Sequence, residues 1–208
     1  MPDVHALRVV DGHRLDREYR DILLPGASLS DRRGVTRQLP RFFYEVPSWQ
    51  VARDIELAPH FQLWEFMHTD VREAFPLRLF PRYVPCAVTL TAMVLEHYRE
   101  AVGSPVHIAA NGGYRSPRHQ LTRHASAHCW GTAVNIYRVG DSYLDSRESI
   151  ERFADIARQE LPGVWHRPYG GESGFADDHL HLDLGYVVAV PHDVPADPLE
   201  SSLEGAAL

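Results

Sequence analysis

Lysine is absent from this chain: all 21 basic residues are arginine, a bias that reads as genome composition and carries no mechanism. Cysteine is scarce. Cys86 and Cys129 are far apart and form no C-x-x-C pair, which argues against a disulfide scaffold and fits a reducing compartment. No apolar run approaches the ~20 residues that a membrane helix needs. The opening MPDVHALRVVDGHRLDREYRD has neither the basic start nor the apolar stretch of a secretory signal, so a cytoplasmic location is expected. With no basic cluster and a net charge of -7 at a pI near 6.0, the chain offers no electrostatic footprint for a nucleic-acid backbone. What remains is ordinary for a soluble globular protein: 208 residues, 44% hydrophobic and 24% charged, enough for one full core or one domain with elaborated ends. Thirteen histidines stand out, chiefly from His107 to His192.

Residues 1–54 mix short extended candidates, ALRVV and LPRFFYEV, with charged turns, and read as an N-terminal extension. The main domain is expected over 55–188, opening on IELAPHFQLWEFM, where Phe61, Trp64 and Phe66 surround a helix start. Between Pro85 and Gly103, Ala87, Thr91, Val94, Tyr98 and Val102 recur at three- and four-residue steps, which predicts a core-facing helix. VHIAANGG reads as a strand ending in a glycine turn, RSPRHQLTRH as a loop with a short helix, and TAVNIYRV as a strand with Val134 and Ile136 facing the core. A second helix is expected over 147–160 and a last strand over HLHLDLGYVV. Residues 189–208 form an acidic, Pro-rich tail, expected to be mobile.

The most informative segment is DDHLHLDLG. Alternation in a strand sends His179, His181 and Asp183 to one face and Leu180, Leu182 and Leu184 to the other. Two imidazoles flanked by carboxylates are costly on a half-buried face unless a metal or substrate pairs with them.

Taken with SAHCWGTAVN at 126–135, this segment resembles the zinc D-Ala-D-Ala carboxypeptidase family, whose fold is shared with the Hedgehog signalling domain. The family pattern S-x-H-x-x-G-x-A-x-D falls on Ser126, His128, Gly131, Ala133 and Asn135, and its acid three residues before a histidine falls on Asp178 and His181. GGYRSP resembles the family's S-G-Y-R-S-P turn, with Arg115 in place. The resemblance implies an α+β fold: a small, mainly antiparallel sheet carrying the site, with helices on its other face. It also implies metal ligands at His128, Asn135 and His181. Asp178 becomes the general base, Arg115 the holder of an oxyanion or substrate carboxylate, and Ser126, His179 and Asp183 supporting groups that orient an imidazole. Tyr114 and Trp165 are pocket candidates, and for Trp165 an aromatic anchoring a strand end is an equal alternative.

Asn135 departs from the family, which has an aspartate ligand there, and a neutral amide oxygen is a poor zinc ligand beside a carboxylate. Three readings stay open: Asn135 coordinates through oxygen, another residue replaces it, or the site binds no metal. The best replacement is His124, four residues before His128 and on its face if that segment is helical; taken alone, His119 and His124 read as solvated loop residues. Zinc is the expected cofactor, with iron or another divalent transition metal as the alternative. The expected activity is hydrolysis of an amide bond in a small peptide of D-amino-acid or peptidoglycan type. A non-hydrolytic metalloenzyme acting on a small molecule and a degenerate binding module are the competing readings.

Overall fold

The computed structural model describes residues 4–170 and 177–192. The chain runs through β1 (Arg8–Asp11), α1 (Arg17–Leu23), β2 (Ser28–Ser30), β3 (Thr36–Gln38), β4 (Phe42–Glu45), α2 (Trp49–Asp54), β5 (Glu56–Ala58), β6 (Phe61–Gln62) and α3 (Leu63–Met67). It continues through β7 (Tyr83–Pro85), α4 (Val88–Val102), β8 (Val106–Ile108), β9 (Ala133–Val139), β10 (Ser142–Tyr143), α5 (Arg147–Glu160), β11 (Trp165–His166) and β12 (Leu180–Asp183). The architecture is mixed α+β with small antiparallel sheets. No helix among the described residues is long and apolar enough to cross a membrane.

The sheet that matters for chemistry is centred on β9, which pairs antiparallel with β8, β10 and β12, while β11 pairs with the far edge of β12. Alternation along these strands divides the work. Val134, Ile136, Leu180 and Leu182 are buried in the main core with Leu95 and Tyr98 of α4 and Ile150, Phe153 and Ala157 of α5. The Tyr98 hydroxyl also donates to the Phe153 carbonyl at 2.9 Å, tying the two helices together. Helix α4 stops where Gly103 turns left-handed at φ 62, a conformation glycine adopts without a Cβ penalty. Helix α5 starts on a capping box in which Ser146 and Ser149 serve each other's backbone N–H groups, satisfying donors that a helix start leaves open.

The N-terminal residues correct the expectation of an extension, because from Val4 onward they belong to the same core. Strand β4 bridges β1 and β7 in a three-stranded sheet, and Val10, Leu23, Phe43 and Val46 pack in one cluster with Met67, Val84 and Leu95. A smaller cluster joins Leu39, Leu29 and Leu24 to Ala125, Cys129, Trp130 and Tyr186. The strand expected over HLHLDLGYVV is shorter than its apolar pattern suggests. It ends at Asp183, where Gly185 at φ 78 turns the chain and donates its N–H to Asp183 Oδ1. Residues 116–124 contain no helix. Most of the tail lies outside the described residues.

Candidate metal centre

The register of the central sheet sets Asn135 of β9 directly opposite His181 of β12, so their side chains share the face turned away from the helices. Asn135 Oδ1 lies 2.8 Å from His181 Nδ1. On the other side of that ring, Nε2 is 3.1 Å from Asp183 Oδ2, an acid–imidazole pairing that fixes the orientation of the ring.

His128 arrives from a different part of the chain. The loop between β8 and β9 is wedged under α3 by two glycines: a Cβ on Gly113 would collide with the Phe66 backbone, and one on Gly112 with the carbonyls of Ala109 and Asn135. Backbone bonds from Tyr114 N–H to Phe66 O and from Asn111 N–H to His68 O, both at 2.7 Å, lock the wedge. The loop then enters a short 3-10 helix, Ala127–Trp130, closed by Gly131 at φ 71. In this setting His128 is 1% exposed and its Nδ1 donates to the Gly113 carbonyl at 2.7 Å. A carbonyl only accepts, so Nδ1 carries the ring proton and Nε2 keeps a lone pair. That Nε2 is buried and has no hydrogen-bond partner among the described residues.

The rings of His128 and His181 lie with centroids 5.1 Å apart and planes at 61°. Burial, reinforced by the neighbouring Arg115 cation, pushes the His128 pKa well below the usual histidine range. Burial also lowers that of His181, against the opposing pull of Asp183. Both rings are therefore neutral at pH 7, the form that ligates metals. An unpartnered buried acceptor costs ~1–3 kcal/mol, and a cation is the partner that a lone pair of this kind fits. Two imidazole nitrogens suit zinc; the amide beside them is the weak member of the set. Accordingly, no group of three or more His, Cys, Asp or Glu side chains suited to a metal occurs among the described residues.

Around this pair the structure arranges the other predicted residues unevenly. Arg115 donates its backbone N–H to the His128 carbonyl at 3.3 Å, and its Nε is buried without a partner among the described residues. Burial pulls its pKa down to about 10, so it stays cationic at neutral pH. Trp165 is 51% exposed and its ring lies 5.5 Å from that of His181, forming a wall beside the site. His179 bridges two groups: its Nδ1 is 2.6 Å from Asp178 Oδ1 and its Nε2 is 2.9 Å from an Arg167 nitrogen. Since arginine only donates, His179 Nε2 accepts and Nδ1–H donates to Asp178. Burial takes the His179 pKa down to about 4, while the Asp178 carboxylate is largely exposed.

Four expectations are corrected. Tyr114 is 2% exposed within the core, because the glycine wedge draws it under α3, and so lines no open pocket. His124 is exposed and precedes the 3-10 helix, so the shared helical face that would have made it a ligand does not exist. Ser126 makes no hydrogen bond to either imidazole among the described residues; the Gly113 carbonyl orients His128 instead. His119 is 1% exposed, not solvated. Its Nδ1 accepts from Leu121 N–H at 3.1 Å and its Nε2 pairs with Asn111 Oδ1 at 3.0 Å.

Arg167 was not singled out from the sequence. Its backbone N–H bonds to the His181 carbonyl at 3.2 Å, continuing the β11–β12 ladder toward the site, and the two residues of β11 are too few to show a period. No family model, curated protein or solved structure matches this chain.

Proposed function

We propose that the protein is a metal-dependent hydrolase that cleaves an amide bond in a small peptide, of the D-amino-acid or peptidoglycan type that the family resemblance implies. The observation that carries this reading is the pair of neutral imidazoles packed edge to face, one with a buried ring nitrogen that has no partner among the described residues. His128 through Nε2 and His181 through Nδ1 would hold the ion, with zinc as the first choice and iron or another divalent transition metal as the alternative. The chemistry such an ion supplies is polarisation of a carbonyl and acidification of water.

The remaining roles belong to the chain. Gly113 holds His128 in the tautomer that presents a lone pair, and Asp183 orients the His181 ring. Arg115, cationic beside His128, binds a carboxylate or the negative charge that develops on the carbonyl oxygen. Asp178, steadied by His179, takes a proton and returns it to the leaving amine, a role typically worth ~100 to 10,000-fold. The half-exposed Trp165 ring flanks His181.

The experiment is hydrolysis of D-Ala-D-Ala and L-Ala-D-Glu peptides by chelator-treated protein with and without added zinc, alongside His128→Ala and His181→Ala. Zinc-restored turnover that both variants lose supports the proposal. Absence of zinc binding, or binding unaffected by both substitutions, overturns it.

A further inference from the structure

Strand β9 carries a second polar cluster further along the face that holds Asn135. Where β8 advances one residue, from His107 to Ile108, β9 spans two, from Arg138 to Ile136, so Tyr137 is the extra residue of a β-bulge. Ile136 and Val139 both lie in the main core. Tyr137 and Arg138 between them therefore both turn to the opposite face, and each is half-buried there. His107, Arg138 and Tyr143 stand abreast on three neighbouring strands. The Arg138 guanidinium lies 6.0 Å from the ring centre of Tyr137 and 5.8 Å from that of the exposed Tyr143.

What this arginine lacks is a counter-charge. Its Nη2 donates to His107 Nε2 at 3.0 Å, but that ring is neutral at pH 7, because burial, reinforced by Arg138 itself, lowers its pKa. Nε is buried with no hydrogen-bond partner, and no carboxylate pairs with the guanidinium among the described residues. A half-buried cation is costly without an anion beside it, and the planar fork of donors fits a carboxylate. We infer that Arg138, flanked by Tyr137 and Tyr143, is a subsite for an acidic side chain of the substrate peptide, the carboxylate meeting the guanidinium and the tyrosine rings covering the methylenes. The identity of that ligand rests on the hydrolase reading; its charge does not. Asn135 and Arg138 are three positions apart on β9, about 10 Å of extended strand. A peptide laid along the same face advances ~3.3 Å per residue, which puts its acidic residue about three positions from the bond held at the histidines.

Binding is measured first in metal-free protein, with pairs of peptides that end in D-Ala-D-Ala and carry Glu or Gln two, three or four residues before that bond. At one spacing the Glu peptide is expected to bind about tenfold more tightly than its Gln twin, the worth of a charge-assisted hydrogen bond, and Arg138→Gln to bring the two to equal affinity. Equal or undetectable binding in wild type at every spacing overturns the inference without any variant, and so does a preference that survives Arg138→Gln. The 15N NMR signal of the Arg138 Nε–H separates the sources of the anion. If acetate or inorganic phosphate shifts it at the concentration at which the peptide does, the site takes free anions and its assignment to substrate is overturned. Added zinc then divides the two readings: a Glu preference without zinc-dependent cleavage fails the hydrolase and keeps the acidic subsite, whereas cleavage indifferent to Glu keeps the hydrolase and removes the subsite.

Discussion

The Gly113 carbonyl accepts the Nδ1 proton of His128 at 2.7 Å, although fifteen residues separate them in the chain. That bond selects the tautomer in which Nε2 has a lone pair, and it exists because Gly113 fits flush against the Phe66 backbone. Gly113→Ala should therefore act at two levels. Its Cβ forces the loop away from α3, destabilising the fold by about 2 kcal/mol or more, as overpacking at a rigid backbone contact does. It also frees the His128 ring. Urea denaturation reads the first effect and zinc titration of the folded fraction the second; wild-type values in both would show that the wedge does not position His128.

Asp183→Asn tests the other ring with little change of shape. The amide that replaces the carboxylate offers a donor as well as an acceptor, so the orientation of the His181 ring is no longer enforced. Loss of a group that orients a metal-binding histidine typically weakens metal affinity ~10- to 100-fold. The expected result is a drop of that size in zinc affinity with the thermal midpoint nearly kept. Unchanged affinity would mean that another group orients His181.

How far the sequence revealed this arrangement depended on whether a feature was local. Helices α4 and α5 carry their own period and stop signals, and they appear at Val88–Val102 and Arg147–Glu160. The two-faced alternation of β12 is visible in four letters, and with that of β9 it places Asn135 and His181 on one face. The resemblance alone suggested that His128 would come near them. Hidden features had long-range or backbone causes. Residues 4–54 join the core through strands of three or four residues, too short for a period to declare their partners. The group that orients His128 is a carbonyl, which every residue has. His119 is buried because Asn111 and Leu121 fold around it, a property of the loop that the residue alone does not declare.

The N-terminal layer is expected to support the site from a distance. Trp130 lies in the same 3-10 helix as His128, is fully buried, and donates its indole N–H to the Gln38 carbonyl at 2.9 Å. Nearby, the Ser30 carbonyl accepts Ala125 N–H at 3.0 Å, and the Tyr186 hydroxyl donates to the Ala125 carbonyl at 3.1 Å. Trp130→Phe keeps most of the apolar volume and removes the donor to the carbonyl of Gln38, an exposed strand residue, a loss of about 1 kcal/mol. Lower stability together with weakened zinc binding is expected. Lower stability with unaltered zinc binding would confine the N-terminal contacts to a structural role.

Acid should weaken the fold through His119. Burial takes its pKa down to about 4, from ~6.5 in an unfolded chain. Between those values the unfolded chain binds the proton and the folded protein does not, so stability falls as pH drops from ~6.5 toward 4 and levels off below. The gap corresponds to an upper bound of about 3 kcal/mol. Structure gives the reason for the low value: Nδ1 already accepts the Leu121 N–H, and protonation there would break that bond and set a charge inside the loop that leads to His128. Urea midpoints measured at pH 7, 6 and 5 should fall in that order. His119→Gln, which has no titrating group, should flatten part of the slope at the expense of stability at pH 7. An identical slope in wild type and variant would remove His119 as the source of acid sensitivity.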